Sequence, residues 1–391
     1  MLNKEVYDKV VAEFAAKFGA APEVVAYAPG RIEVLGNHTD YNEGYVFSAA
    51  IDKGTFFAAS LADDDKVTLV ALDMGETYET TLGEVKKVES GATWANYPLG
   101  TFNWLFGGEP AKAGKGFKAV FGGNIPLGAG LSSSAALEMA TALALQKLYG
   151  TSFGKTELAK IGQKAEHTFA GCPCGLLDQA SSMYGQAGAL VKSDFRSNEF
   201  ESVKMGDGVA FMMVKSNAKH ALVDGAYASR RKACEDAAKH FAGVLRKPVT
   251  HLRDVTMAEW VLYHDGLDET TARRAVHPIG EDERVLQGAA LLEKGDLKGF
   301  GALMYDSHES SRRWFENSCE ELDAIVDAAK GIPEVYGARL SGGGFGGSCC
   351  LLVDPAAADS IAAKIAAAYK AKFGDEPVCS LIKPSEGARV V

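Results

Sequence analysis

The sequence predicts an α+β fold, and three observations carry that expectation. Helical and strand periodicities are mixed along the chain without the regular βαβ repeat of a doubly wound sheet. Its 391 residues exceed one typical core of about 100–200 residues, so two or three domains are expected. Its 43 glycines gather in loops between periodic segments. No linker or low-complexity stretch marks a boundary; a division at Asp194 separates comparable halves, 1–193 and 194–391.

The elements follow in order. Apolar residues at Val6, Val10, Val11, Phe14 and Phe18 give residues 3–19 the pattern of an amphipathic helix. Val25–Leu35 and Tyr45–Leu61 read as strands around the polar stretch Gly36–Gly44, a hairpin with a chemically loaded loop. Strands follow at Lys66–Asp73, Thr77–Leu82 and Gly116–Gly122, then helices at Ser132–Tyr149 and Lys155–Phe169. Ala189–Asp194 and Val209–Asn217 alternate as strands, and Ala226–Val244 is helical. The last third alternates helices with strands at Gly337–Ser341, Ser348–Val353 and Val378–Lys383.

A net charge of −10 argues against a nucleic-acid or anionic-membrane partner, since both need a cationic surface. The N-terminus has acidic residues among its apolar ones, unlike a signal peptide, and no run approaches a membrane span. Seven cysteines, with Cys349 and Cys350 adjacent, suit a reduced cytoplasm better than a disulfide framework. His167, Cys172 and Cys174 do not have a standard zinc spacing.

Three segments carry chemistry. In Asn124-Ile-Pro-Leu-Gly128-Ala-Gly130-Leu131-Ser132-Ser133-Ser134, a glycine loop opens directly into a helix. Its backbone N–H groups, the helix dipole and three hydroxyls make an anion site. Gly342-Gly343-Gly344-Phe345-Gly346-Gly347 spells a dinucleotide fingerprint, but a strand follows it where that motif requires a helix. Five glycines joining two strands instead suggest close approach of a backbone or ligand. A Walker A loop is absent. The third segment, Gly30-Arg31 through Glu33, Gly36-Asn37-His38-Thr39-Asp40-Tyr41-Asn42-Glu43-Gly44, concentrates the groups that read a polyhydroxylated ligand: carboxylates for vicinal hydroxyls, Asn and His for direction.

Together these segments resemble the GHMP kinase superfamily, and the third resembles its galactokinase branch. Further matches are Ala165-Glu166-His167, Pro173-Cys174-Gly175 with Asp178-Gln179, Ser216-Asn217 with Lys219-His220, Tyr227 with Arg230-Arg231, and Ser307-His308-Glu309-Ser310. The resemblance implies a two-domain α+β fold, mixed sheets packed against helices, with the active site in the interdomain cleft. It implies an ATP-dependent, Mg2+-requiring sugar 1-kinase whose first expected substrate is galactose, a cytoplasmic monomer or weak homodimer. Asp178 matches the family's base toward the anomeric hydroxyl, with Arg31 beside it. Asn37, His38, Asp40, Gly175 and Tyr227 match sugar-binding positions. Gly128, Gly130, Leu131, Ser132, Ser133, Ser134, Gly343 and Gly344 match ATP-binding ones, and Glu166 with Ser134, or alternatively Ser133, the magnesium ligands.

The chain departs from the family pattern at two linked positions. Galactokinases generally carry asparagine where Glu33 stands and glutamate where Asn37 stands, so the two residue types are exchanged. An extended backbone puts both on one face. The exchange implies an altered C6 preference, with galacturonate or N-acetylgalactosamine as alternative substrates. Arg313 and Trp314 replace a pair of family acids. A non-catalytic sugar- and ATP-binding regulator is the alternative of another class, and the uninterrupted run Ser132–Ala136 argues against it.

Overall fold

Two β-sheets organise the chain. The first contains β1 (Val24–Leu35), β2 (Tyr45–Leu61), β3 (Lys66–Ala71), β4 (Glu76–Thr81), β5 (Phe117–Gly123), β6 (Ala189–Asp194) and β7 (Glu199–Lys204). The second contains β8 (Ala210–Lys215), β9 (Val335–Ser341), β10 (Ser348–Val353) and β11 (Val378–Ile382), ordered β11-β8-β10-β9 and antiparallel throughout. The chain then returns to the first sheet, where β12 (Arg389–Val390) pairs with β1. The first sheet runs β12-β1-β2-β5-β3-β4, with β6 on the other end of the long β2, and is mixed because β3 and β5 are parallel. This computed structural model describes residues 3–126, 128, 130–218 and 223–391. Leu127, Ala129, Lys219 and His220 therefore lie outside the described residues.

The helices are α1 (Lys4–Phe18), α2 (Asn96–Leu105), α3 (Ser133–Tyr149), α4 (Lys155–Ala165), α5 (Leu177–Tyr184), α6 (Val223–Val244), α7 (Met257–Tyr263), α8 (Glu269–Glu293), α9 (Leu297–Ser310), α10 (Glu320–Lys330) and α11 (Ala358–Phe373). Val10 and Phe14 of α1 pack on one face of the first sheet against Tyr27, Phe56 and Val120. The other face buries Phe57, Leu69 and Phe117 under Leu99 and Phe102 of α2, Met139 and Leu145 of α3 and Leu158 of α4. The second sheet is two-sided, as strand alternation requires. Met212, Val214, Cys349 and Leu351 face α10 and α11, while Phe211, Met213, Cys350 and Leu352 face Ile32, Val34 and Phe47 of the first sheet. The adjacent Cys349 and Cys350 thus sit on opposite faces, and both are free thiols. Among the described residues, no helix is long and apolar enough to cross a membrane.

Two expectations change. Asp194 ends β6, whose hairpin with β7 pairs Asp194 with Glu199, so a division there would cut a continuous ladder. The sheets divide the chain after β7 instead, with the C-terminal residues rejoining the first. The helix expected over Lys155–Phe169 is α-helical only to Ala165; a π-helical turn, Glu166–Ala170, follows and leaves Glu166 buried.

Where the sheets meet, the apolar layer is crossed by one buried ion pair, Arg339 Nη1 of β9 to Glu33 Oε1 of β1 at 3.3 Å. Arg339 is fully buried. Removing one partner leaves an uncompensated interior charge, so Arg339→Met should lower unfolding free energy by about 3–5 kcal/mol in a denaturant titration. Combining it with Glu33→Gln should recover part of that loss; no recovery would mean that the two side chains do not act as a pair.

Candidate active site

The site begins at a break in β1. Register with β2 shifts between Pro29 and Arg31, because proline cannot donate to the ladder. There the Arg31 N–H turns to the Leu131 carbonyl at 3.1 Å. A β-carbon on Gly30 would overlap the same carbonyl, so glycine is required for this approach. The Arg31 side chain continues the stitch: Nη1 donates to Gly130 O at 2.8 Å, while Nε and Nη2 meet Asp178 Oδ1 at 2.8 and 2.7 Å. Asp178 lies in the first turn of α5, which is anchored by Ser182 Oγ to Pro29 O and Ser181 Oγ to Ser48 Oγ, each 2.7 Å. The carboxylate is therefore not a helix cap. It faces the phosphate loop, where the Ser132 hydroxyl donates to Oδ2.

Ser132 adopts a left-handed conformation, φ 55°, just before α3, and no side chain caps that helix. Its hydroxyl is engaged by Asp178, so the first-turn N–H groups of α3 stay available to an anion. Gly128 and Gly130, φ 65° and 70°, shape the preceding turn, and Leu131 is buried beneath it. Ser133 opens α3, and Ser134 Oγ donates to Glu166 Oε1 at 3.1 Å. Glu166 Oε2 accepts from Gln179 Nε2 at 2.9 Å and from Cys174 Sγ at 3.2 Å. The other end of the bridge is Glu138 Oε2, also 2.9 Å from Gln179 Nε2. Burial pushes the Glu166 carboxyl up, and Asp178 adds to the rise. Burial, then Glu166, pushes Glu138 well up. Ser134 Oγ and Glu166 Oε1, side by side, are hard oxygen donors. Mg2+ fits, since it takes one or two protein oxygens and completes its shell with phosphate and water.

The loop 36–44 carries a second cluster of polar groups. His38, φ 61°, is buried, with Nε2 3.2 Å from Gly343 O and Nδ1 2.9 Å from the Tyr41 hydroxyl. A carbonyl accepts, so Nε2 carries the proton and Nδ1 takes the tyrosine hydrogen. Burial brings the ring's pKa down to about 4, which keeps it neutral. Tyr227 and Phe315 pack on it at centroid distances of 5.2 and 4.7 Å. Asp40 packs so closely on Gly175 that a β-carbon there would overlap Oδ2. Burial, then the charge of Glu33, raises its pKa to about 7.

Asn37 differs from expectation. Its Nδ2 donates to Glu33 Oε1 at 2.7 Å and to Gly342 O at 2.8 Å, and its Oδ1 accepts from Asn317 Nδ2 at 2.9 Å. The shared face inferred from strand alternation is real, and it turns the amide toward protein. Gly343 and Gly344 likewise lean on the sugar loop: the Gly343 carbonyl accepts from His38 and from Asn317 at 3.3 Å, and Gly344 packs against Asn317. Arg313 pairs with Glu309 and Trp314 is exposed, while Phe315 of the same turn faces His38. The sequence reading assigned no role to Glu138, Gln179, Asn317 or Arg339. Glu138 alone left a signal, as the one charged residue in the apolar stretch Ala135–Leu145.

Residues 12–61 match the galactokinase galactose-binding signature, residues 96–186 the GHMP kinases N terminal domain and residues 289–371 the GHMP kinases C terminal region. Human galactokinase is 38% identical over 97% of this chain and 95% of its own length. The Lactococcus lactis galactokinase solved in complex with galactose superposes with a TM-score of 0.91 at 31% identity, covering 98% of this chain and 99% of that one. A Methanococcus jannaschii mevalonate kinase shares the fold, with TM-score 0.62 at 19% identity over 93% and 98% of the two chains. With that identity along nearly its whole length, and a galactose-binding signature over the loop that holds His38 and Asp40, the chain belongs to the galactokinase family of the GHMP kinases.

Proposed function

We propose that this protein transfers the γ-phosphoryl group of ATP to the anomeric hydroxyl of galactose. The observation that carries the reading is the Arg31–Asp178 pair set at the uncapped N-terminus of α3, a base and a cation beside an anion cradle. Asp178 accepts the proton of the sugar hydroxyl at Oδ2. The sugar oxygen attacks the γ-phosphorus in line, and the β–γ bridging oxygen leaves with ADP. Arg31 fixes the orientation of Asp178 and places positive charge near the transferring group. The N–H groups opening α3 and the Ser133 hydroxyl receive phosphate oxygens. Ser134 and Glu166 would hold Mg2+, which when bound would supply counter-charge to the phosphates. Asp40 accepts hydroxyls of the sugar, with His38 and Tyr227 walling the pocket. Asn37 acts by holding the loop against Gly342, so the exchange with Glu33 leaves galactose the preferred sugar. Uronic and N-acetylated sugars turning over faster than galactose in a substrate panel would reverse that assignment.

Asp178→Asn should leave galactose binding by calorimetry within about threefold while cutting kcat by about 10²–10⁴-fold; wild-type turnover would remove Asp178 from the chemistry. Glu166→Gln should raise the Mg2+ concentration for half-maximal rate by about tenfold or more, with the galactose KM little changed. An unaltered Mg2+ requirement would place the metal elsewhere.

Asp40 sets a pH dependence with a defined sign. Folded, it keeps its proton up to about pH 7, whereas an unfolded aspartate releases it near 3.9. Its buried charge therefore opposes folding once pH exceeds the unfolded value, and does so fully above about 7. Asp40→Asn should raise Tm at pH 8 and have little effect at pH 4. In catalysis, kcat/KM for galactose should fall about tenfold per unit below pH 7, and the asparagine variant should lose this limb. A wild-type profile flat from pH 5 to 8 would remove Asp40 from sugar recognition.

A further inference from the structure

The sugar loop is an awkward piece of backbone. Gly36, His38 and Glu43 have φ of 90°, 61° and 57°, and two of these are not glycine. Such residues persist where the surroundings over-determine them. Inside the loop the Thr39 hydroxyl lies 2.8 Å from Gly36 O and 2.6 Å from Tyr45 O, and Asn42 Nδ2 donates to His38 O at 2.9 Å. These bonds close the turn upon itself. They do not tie it to anything outside.

Besides the contacts of Asn37 and His38 with residues 342–343 and Asn317, an outer tie comes from α8. Glu281 is fully buried, and its Oε2 accepts the N–H of Gly36 at 2.9 Å, the N–H of Asn37 at 2.7 Å and the Ser307 hydroxyl at 3.0 Å. Its Oε1 accepts from Arg284 Nε at 2.5 Å. The next residue, Asp282, accepts the N–H of Tyr45 at 2.6 Å and packs on Gly44. Two consecutive carboxylates thus meet the two ends of one loop. Burial alone would raise the Glu281 pKa, but Arg284, then His277 and Arg339, and last the Asn37 N–H, bring it down to about 2, so the group is a true acceptor. Without it, two adjacent N–H groups would be orphaned in the interior, next to the residues that bear the sugar contacts.

We propose that Glu281 and Asp282 are positioning residues for sugar recognition: they clamp residues 36–45 from the far side, so that His38 and Asp40 are presented in one geometry to the incoming sugar. The proposal rests on the functional reading above only for the identity of that sugar. Glu281 is not free to touch the ligand, since its oxygens meet the loop backbone, Arg284 of α8 and Ser307 of α9. The effect of the two carboxylates is on the loop, and hence on sugar affinity, with no lever on the nucleotide side, where Arg31, Ser132 and Ser134 are held by other contacts.

The test is Glu281→Ala beside Glu281→Gln, read by steady-state kinetics and by amide hydrogen exchange of residues 36–45. The alanine variant should raise the galactose KM about tenfold or more, with the ATP KM within about twofold of wild type, and should speed exchange at Gly36 and Asn37. The glutamine variant keeps an oxygen for these N–H groups and should restore much of both. A merely structural role would lower Tm and total activity without this split. A folded alanine variant with wild-type galactose KM and slow exchange overturns the proposal. If Glu281→Ala does not fold, Ser307→Ala, which removes one donor from the same oxygen, takes its place: about a threefold rise in galactose KM supports the clamp, and no change in KM or exchange overturns it. Exchange reads the clamp whatever the substrate, so a protein inert toward galactose but showing faster exchange in the variant contradicts the functional reading and supports the clamp.

Discussion

One guanidinium connects three separate stretches of chain. Arg31 leaves β1 at its bulge, meets the Gly130 carbonyl of the phosphate loop, and forks onto a single oxygen of Asp178 at the head of α5. Loss of that side chain would leave an unpaired carboxylate, a loop carbonyl without its donor and no cation beside the anion cradle. Planar, forked donors suit this task because each bond also fixes direction. The reacting centre is thus defined less by any one loop than by the residue on which the loops converge.

The rest of the site follows a division of labour between backbone and side chain. At the start of α3 the backbone N–H groups are left without a side-chain cap. The two sugar-side loops, 36–44 and 342–347, support each other through His38, Asn37 and Asn317. The exchange of Glu33 and Asn37 has a clear physical reading in this setting. The acid stands where Arg339 can meet it, and the amide stands where both donors and an acceptor are used.

The legible parts of the molecule were those written in local pattern. The hairpin of β1 and β2, the helix behind the serine run and the strand after the glycine fingerprint are periodic, and the structure has them. Arg31, His38, Asp40 and Asp178 became visible only through ordered motifs, since an isolated aspartate in a Gly-Leu-Leu-Asp-Gln turn reads as well as a cap. Glu281 had no local signature, because its loop partners lie far away in sequence: 245 residues separate it from Gly36. The π-helical turn at Glu166 and the two-residue β12 were invisible for a different reason, being too short to show a period.

That last strand bears on the order in which the protein takes shape during synthesis. β1 is made before the residues that ladder its outer edge, Arg389 and Val390, and Ser385 and Gly387 bond back to Ala50 and Gly185. Until those residues emerge, one flank of the first sheet presents open backbone donors and acceptors, the surface that invites pairing with another chain. The first sheet is therefore sealed along that flank only when residues far along the chain have been made.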